Sequence, residues 1–395
     1  MRYFIFLLAI SVFVACSHKG SKPTPGYYEL LFKTENGVIP ARLDITQNGV
    51  WNILNAEELI RLDSILFTGD SFFVKLPLFD SSLRGTWRND SLMGEWIDHS
   101  RKDYSVSFTG VMQHSASCDN PVLESNYEVV FSPGDSTETN KGVAVLQKCG
   151  HVVTGTILTE TGDYRYLQGE WNDNQLWLSA FDGTHLFYLS GEVLGDSITN
   201  GIFLSGKHWK ESWVAVKSNT NTLRNPYSIT TLRVKENPTF TVLNSEGSPV
   251  VFDSSTWKNN VSIIQVMGSW CPNCTDESRF LKEVYTASNS NRLHIIPIAF
   301  ERGDDIAAAC KRVTNQFNQM QLPYPFYYGG KSSKEEAQKT LNFLTEVHSF
   351  PTTIFIDKEG VIRRVYTGFY GPGTHGEYTK HSEEIKTLVA DLLSE

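Results

Sequence analysis

The sequence predicts a multi-domain protein in which an all-β N-terminal region precedes an α/β domain. The chain has 395 residues, of which 40% are hydrophobic, enough to bury two or three cores. Residues 26–217 consist of short segments rich in β-branched and aromatic residues, separated by turn sequences such as QNG, RND and FDG. From residue 237 onward, apolar strands alternate with helical segments, which is typical of a mixed sheet with helices on both faces.

The first 25 residues resemble the start of an exported bacterial lipoprotein. An apolar run follows Arg2 and ends in Val-Ala-Cys at Cys16, ahead of the polar stretch SHKGSKPTPG. We expect a signal peptide over residues 1–15, lipidation of Cys16 and a flexible leader over residues 16–25. The alternative is an ordinary signal peptide with an incidental cysteine. If the chain is a lipoprotein, we expect it to be lipid-anchored in the bacterial cell envelope and to face the periplasm, on either the inner or the outer membrane. Disulfides can form in that compartment.

The β region contains an internal repeat. Leu78–Trp96 and Ala180–Phe203 share a Phe-Asp pair, a strand containing glycine and an Asp-Ser turn followed by glycine. We therefore predict a duplicated antiparallel meander over about 26–112 and 125–217 that forms a sandwich or a barrel. Its aromatic residues either fill the core, which is the commoner use, or line a ligand cavity.

Residues 218–236 are polar and predict a linker, and residues 237–395 form the α/β domain. The motif PTFTVLNSEGSPVVF predicts a hairpin, and QLPYPFYYGG predicts an irregular connection. The apolar strands expected after the hairpin are Val261–Met267, Leu293–Phe300, Thr352–Asp357 and Val361–Gly368. Helices are expected to begin at Pro272 and near Asp304, Ser333 and Lys380.

Charge and cysteine usage narrow the classes of function. The formal charge of −9 is spread along the chain without a Lys/Arg run, which argues against nucleic acid as a partner. Cys310 falls in a predicted helix and is expected to be a small buried residue. A disulfide between Cys118 and Cys149 stays open, because sequence does not give their separation.

The motif SWCPNC places Cys271 and Cys274 directly after a buried strand, where a helix begins. A zinc site is disfavoured because no second Cys-x-x-Cys pair and no paired histidines supply the remaining ligands. Pro272 suits the first helical turn, and the free amides of that turn stabilise a thiolate at Cys271 below the usual cysteine pKa of about 8.5. Cys274 lies one turn further on, in reach of a mixed disulfide formed by Cys271. The pair is therefore expected to be a redox-active disulfide rather than a structural one.

The motifs SWCPNC and FPTTIFIDKEG resemble the thioredoxin superfamily, and the chain is most similar to its TlpA/ResA-like extracytoplasmic group. This resemblance implies a cis peptide bond at Pro351, with the backbone of Phe350 presented to a peptide substrate. It also implies that Glu277, three residues after the second cysteine, handles protons; the alternative is a carboxylate favoured by the helix dipole. Gln265 occupies the position where thioredoxin has a buried aspartate. Trp270 and Pro272 complete the expected substrate-positioning residues.

The resemblance implies a disulfide reductase of exported proteins that needs no metal or organic cofactor and receives electrons from a membrane thiol carrier. Cys271 would attack and Cys274 would resolve. Two rivals remain: a disulfide oxidase or isomerase using the same residues, and a ligand-binding lipoprotein whose β region is the functional part. A peroxidase is less favoured, because a peroxidatic cysteine does not need a partner two residues away.

Overall fold

The computed structural model describes residues 22–114, 122–134, 140–220 and 222–395. The expected signal peptide over residues 1–15 and the lipidation site Cys16 lie outside the described residues. Cys118 also lies outside the described residues, so a Cys118–Cys149 disulfide stays an open prediction. The described part of the chain contains no helix long and apolar enough to cross a membrane.

The N-terminal region is all-β and begins with one nine-stranded antiparallel sheet. Its strands are β1 Gly26–Thr34, β2 Gly37–Ile45, β3 Trp51–Asn55, β4 Glu58–Leu62, β5 Leu66–Thr68, β6 Ser71–Lys75, β7 Ser81–Arg88, β8 Ser91–Asp98 and β9 Ser105–Gln113. Their spatial order is β4-β3-β2-β1-β9-β8-β7-β6-β5. The alternation of buried and exposed residues along β6 shows one face turned to the core.

The second part of the region closes into a barrel. Its strands are β10 Leu123–Phe131, β11 Asn140–Cys149, β12 Val152–Thr159, β13 Gly162–Asp163, β14 Leu167–Asn172, β15 Gln175–Phe181, β16 Leu186–Leu194, β17 Ser197–Ser205 and β18 Trp209–Lys217. The order β11-β10-β18-β17-β16-β15-β14-β12 returns to its start through a β11–β12 pairing, and β13 pairs only with β12. Closure leaves eight strands without a free edge.

Aromatic side chains fill the interior of the barrel. Tyr164 stacks on Phe203 with 5.3 Å between ring centroids, and Phe131 and Phe187 lie 5.9 and 5.4 Å from the same ring. Phe131, Phe187 and Phe203 belong to one buried apolar cluster that also contains Trp213, and Tyr164 packs against it. The aromatic residues here form a core, which was the commoner of the two uses that the sequence allowed.

The two β units are in direct contact. Asn55 of β3 donates from Nδ2 to the main-chain oxygen of Phe181 at 2.9 Å, and Phe181 donates its N–H to Asn55 Oδ1 at 2.9 Å. Both residues are buried. A side-chain amide that satisfies both backbone groups of one residue fixes the position of β15 against the first sheet.

The C-terminal domain is a seven-stranded mixed sheet with five helices. Its strands are β19 Phe240–Leu243, β20 Pro249–Phe252, β21 Val261–Met267, β22 Leu293–Glu301, β23 Tyr327–Lys331, β24 Thr352–Ile356 and β25 Ile362–Thr367. Their spatial order is β20-β19-β23-β22-β21-β24-β25, in which β21–β22 and β22–β23 are parallel and the other pairs antiparallel. Its helices are α1 Ser254–Trp257, α2 Pro272–Ser288, α3 Ile306–Met320, α4 Lys334–Thr340 and α5 Gly376–Ser394. Short 3₁₀ turns lie at Pro226–Ser228 and Pro372–Thr374.

Apolar cores lie on both faces of this sheet. All seven residues of β21 are buried, and Ile263 and Ile264 belong to different cores because successive side chains point to opposite faces. Helices α2, α3 and α5 cover one face, and α4 covers the other together with Trp257. The prediction of a mixed sheet with helices on both faces is confirmed.

Two predictions for the C-terminal domain are wrong, one for a strand and one for the start of a helix. The stretch QLPYPFYYGG, predicted as an irregular connection, contains strand β23, which runs parallel to β22. Gly329 allows close packing, because a Cβ at this position would lie 2.5 Å from the ring of Phe300. Helix α5 begins at Gly376, a turn earlier than the expected start near Lys380.

Candidate active site

Cys271 and Cys274 form a disulfide at the start of helix α2, at the carboxyl end of β21. Cys271 is the N-cap residue, with the extended backbone that this position requires, and Cys274 donates its N–H to Cys271 Sγ at 3.1 Å. Pro272 occupies the first turn, where its missing N–H leaves no hydrogen bond unmade. The sequence therefore places the first sulfur where backbone amides and the helix dipole stabilise negative charge.

The segment around Pro351 faces this sulfur. The Phe350–Pro351 peptide bond is cis, as the resemblance implies, and the main-chain oxygen of Phe350 lies 3.5 Å from Cys271 Sγ. The Phe350 ring lies 5.5 Å from the Trp270 ring in an edge-on arrangement and 5.8 Å from that of Phe300. The backbone of Phe350 is thus held beside the first cysteine.

Glu277 lies on α2 beneath the cysteines and is 2% exposed. Its carboxylate accepts hydrogen bonds from Gln265 Nε2 at 2.9 Å and from Thr353 Oγ1 at 2.5 Å. Burial raises the pKa of Glu277 to about 7, although both hydrogen bonds favour its charged form. A carboxyl group with such a pKa exchanges protons near neutral pH, which suits a general base.

Gln265 connects Glu277 to the active-site helix. Besides its bond to Glu277, its Nε2 donates to the main-chain oxygen of Cys274 at 3.1 Å, and its Oε1 accepts from Ser278 at 3.0 Å. All of these groups are buried. Sequence comparison marked Gln265 only as a departure from thioredoxin; its place beside Glu277 depends on the packing of β21 against α2.

Trp270 is held from three sides. Its Nε1 donates to the main-chain oxygen of Phe300 at 2.9 Å, and the Arg302 guanidinium lies 5.0 Å from the centre of its ring. Thr184 of the barrel reaches its main-chain oxygen at 3.4 Å. Residues of both the redox domain and the β region therefore contact the tryptophan that precedes the first cysteine.

The β region covers the cysteines. Cys271 is 5% exposed and Cys274 is fully buried. Asn273, which stands between them, donates to the main-chain and carboxylate oxygens of Asp163, and burial raises the pKa of Asp163 to about 6. Arg165 pairs with Asp276 of α2. These partners are more than 100 positions apart in the chain, and no local sequence pattern signals them.

Further contacts surround the same site. Arg302 pairs with Asp98 at 3.4 Å, and Gln319 of α3 accepts from the N–H of Leu78 at 2.7 Å. Beside them, a cleft of about 860 Å³ opens between the β region and α2, with Leu59 and Leu78 on one wall and Asp276 and Arg279 on the other. The cleft is the cavity on which a ligand-binding role of the β region would depend.

Among the described residues, one group of carboxylates is spaced closely enough to share a metal ion, namely Asp357, Glu359 and Glu395. Arg363 already pairs with Asp357 and Glu395. Asp357 follows the end of β24 that is remote from Pro351, so this acidic group lies away from the cysteines. Nothing in the chemistry of the cysteine site depends on it.

The geometry of the site defines a class of protein. A cysteine pair at the start of a helix, facing a cis-proline on a mixed sheet with helices on both faces, is the arrangement of a thioredoxin-like oxidoreductase. The Redoxin family model matches residues 234–380. The C-terminal domain thus has a thioredoxin-like fold, and an added all-β region precedes it.

Solved structures with similarity to this chain include three bacterial proteins. A secreted disulfide oxidoreductase from Mycobacterium tuberculosis is 18% identical over 39% of this chain and 96% of its own, with a TM-score of 0.28. A secreted thiol-disulfide isomerase from Corynebacterium glutamicum is 19% identical over 45% and 99%, with a TM-score of 0.33. A thiol:disulfide interchange protein from Chlorobium tepidum is 20% identical over 38% and 98%, with a TM-score of 0.28. The search of curated proteins found no match.

Proposed function

We propose that the protein is a protein-disulfide reductase of the bacterial cell envelope. The observation that carries this proposal is the position of Cys271 Sγ, which accepts the N–H of Cys274 at the start of α2 beside the backbone of Phe350. This environment favours a reactive thiolate at the first cysteine. The export signal expected at the N-terminus supports the location, and Cys16 is the expected lipid anchor.

In the reaction, the Cys271 thiolate attacks one sulfur of a substrate disulfide and releases the other as a thiolate, forming a mixed disulfide. The Cys274 thiolate then attacks Cys271 Sγ, releases the second substrate thiolate and closes the Cys271–Cys274 disulfide. Two electrons pass from the enzyme dithiol to the substrate, and two protons convert the substrate thiolates to thiols. An external dithiol, which we assign to a membrane thiol carrier, reduces the enzyme again.

Each remaining residue has a proposed role in this reaction. Glu277 accepts the proton of Cys274 before the second attack, since its pKa of about 7 lies near working pH. Trp270, Pro272, Phe350 and Pro351 position the substrate segment. No metal or organic cofactor takes part.

Trapping of substrates tests the exchange mechanism. In the full-length Cys274→Ala variant, Cys271 attacks but nothing resolves, so mixed disulfides with exported proteins should accumulate and disappear on reduction. The Cys271→Ala variant is the matched control and should trap none. Recovery of equal amounts from both variants, or of none from either, would contradict the proposal.

The reduction potential of the Cys271–Cys274 couple decides between reductase and oxidase. A value near that of thioredoxin, about −270 mV, is expected for a reductase, whereas a value near about −120 mV belongs to a strong oxidant. The measurement is equilibration of the full chain with glutathione or dithiothreitol buffers, followed by separation of the two forms. A potential near the higher value would replace the proposed reductase with an oxidase using the same residues.

A further inference from the structure

The loop of residues 160–165, between β12 and β14 of the barrel, contains the short strand β13 and lies across the face of the redox domain that carries the cysteines. We call it the cover loop. Three segments of the redox domain meet it: the dipeptide between the cysteines, the residues before Pro351, and the turn after β25. These are the segments that surround Cys271, and a substrate would have to reach the sulfur between them.

Hydrogen bonds hold the cover loop as they would hold a bound peptide. Ser349 donates from Oγ to the main-chain oxygen of Thr161 at 2.9 Å. Asn273 donates from Nδ2 to the main-chain oxygen of Asp163 at 3.1 Å and to its Oδ1 at 2.8 Å, and Gly371 donates its N–H to the same Oδ1 at 2.9 Å. In these four hydrogen bonds the redox domain supplies the donors and the loop supplies the acceptors, two of them main-chain oxygens, as in recognition of an extended segment.

The fit leaves no space for another chain. A Cβ at Gly162 would lie 2.6 Å from Asn273 Nδ2 and 3.1 Å from the main-chain oxygen of Phe369. On the opposite side, a Cβ at Gly368 would lie 2.9 Å from the carbonyl carbon of Thr161. Backbone meets backbone here because both positions are glycine.

Arg165 fastens one end of the cover loop. Its guanidinium pairs with Asp276 of α2 and with Glu58 of the first sheet, and it donates to the main-chain oxygen of Pro272 at 3.3 Å. Asp182 lies 3.8 Å away, and all four charged side chains are largely buried. Removal of the arginine would leave three buried carboxylates facing one another, a strongly unfavourable arrangement.

We propose that the cover loop is an intramolecular ligand of the redox site, which fills the groove meant for a substrate segment and keeps Cys271 closed until the β region moves away. The inference rests on the proposed function, because it assigns this face to substrate. No covalent bond joins loop and groove, so closed and open forms are in equilibrium. The apparent reactivity of Cys271 toward large partners is lowered by the fraction of molecules that are open.

Alkylation of Cys271 in the reduced full-length protein tests this inference. The probe is a maleimide attached to polyethylene glycol, and peptide mass spectrometry assigns the modified cysteine. The Gly162→Leu variant should react at least about tenfold faster than wild type, because its side chain forces the loop from the groove and raises the open fraction. The Gly195→Leu variant is the matched control: it also has a positive φ, but no atom lies within 4 Å of an added Cβ. It should react at the wild-type rate.

A second pair of variants keeps the test decisive if Gly162→Leu does not fold. Arg165→Met removes the buried cation at similar volume, and Arg84→Met removes an exposed arginine from the first sheet. The first should accelerate alkylation of Cys271 and the second should not. Wild-type rates in a folded Gly162→Leu or Arg165→Met protein, judged by near-ultraviolet circular dichroism, would overturn the inference.

The two proposals fail separately. Faster alkylation in the loop variants, with no trapped partner even in a Cys274→Ala protein that also carries Gly162→Leu, would support the cover and reject the exchange mechanism. Trapped partners together with unchanged alkylation rates would keep the mechanism and reject the cover.

Discussion

The side-chain amide of Gln265 donates a hydrogen bond to the carboxylate of Glu277, with 2.9 Å between Nε2 and Oε2. The same nitrogen lies 3.1 Å from the main-chain oxygen of Cys274. An uncharged donor at position 265 allows the buried carboxylate to ionise near neutral pH, whereas a second carboxylate there would oppose ionisation. The proton chemistry of the site is therefore concentrated on Glu277.

Replacing Glu277 with Gln tests its role as a base. Glutamine keeps the shape and can still bond to Gln265 and Thr353, but it accepts no proton. We expect resolution of the mixed disulfide at pH 8 to slow by about tenfold to a hundredfold, because no carboxylate deprotonates Cys274. Single-turnover kinetics between pH 5 and 9 should show an inflection near pH 7 in wild type that disappears in the variant. Glu283→Gln, on the exposed side of the same helix, is the control, and identical profiles for all three proteins would remove the assigned role.

The same variant changes the pH dependence of stability. Glu277 binds its proton more tightly in the folded protein, where the pKa is about 7, than in the unfolded chain, where it is 4.5. The wild-type free energy of unfolding should therefore fall as the pH rises from about 4.5 to about 7. Without this titration, the Gln variant should gain on the order of 3 kcal/mol relative to wild type above pH 7. Urea unfolding at pH 5 and pH 8 checks this, and a parallel fall in both proteins would contradict it.

Gln265→Leu separates the carboxylate from its neighbour. The change removes a hydrogen bond that favours the charged form of Glu277, so the pKa of Glu277 should rise further. We expect the inflection in the rate profile to move upward by about one pH unit. Ser278→Ala is the control, because the Ser278 hydroxyl donates to the side-chain oxygen of Gln265 and its removal leaves the amide nitrogen in place. A shift of equal size in both variants would mean that packing, not the lost donor, moves the pKa.

Sequence periodicity was enough to predict most of the C-terminal fold, because its apolar strands are short, continuous and followed by recognisable helix starts. Strand β23 was missed for a physical reason. Its Gly329-Gly330 pair has the composition of a turn, yet the absence of side chains lets β23 approach Phe300 of the neighbouring strand. In the β region, turn sequences predicted the strands but not that the second half closes, since closure depends on the long-range pairing of β10 with β18, the first and last strands of that half.

In the candidate active site, too, local features were predicted from the sequence and long-range contacts were not. Cys271, Cys274 and the cis bond before Pro351 are local features, and motif and resemblance were sufficient to predict them. Asp163 and Arg165 were not predicted, because their importance arises only when a barrel loop meets a helix over 100 residues later. The sequence of a barrel loop has no periodic pattern from which its contact partner could be predicted.

Lipid attachment at Cys16 is tested by the Cys16→Ser variant expressed in a bacterium with the lipoprotein pathway. We expect wild type to incorporate labelled palmitate and to sediment with membranes, because acyl chains add binding free energy of about 0.8 kcal/mol for each buried CH₂. The variant should incorporate none and should appear in the soluble fraction. Cys310→Ser, at a buried thiol of α3, is the control. Equal labelling of wild type and Cys16→Ser would show that Cys16 is not the acceptor.

The stability of the redox domain should depend strongly on Trp257. This side chain is fully buried between Phe240 and Phe252, and its Nε1 donates to the main-chain oxygen of Pro238 at 2.9 Å. Trp257→Ala leaves a cavity and an unpaired carbonyl, and we expect a loss of about 3 to 5 kcal/mol in the unfolding transition of this domain. Val251→Ala, at a residue 56% exposed on β20, should change the same transition by less than about 1 kcal/mol. Urea unfolding followed by circular dichroism measures both, and comparable small losses would show that the core beside α1 relaxes around the missing ring.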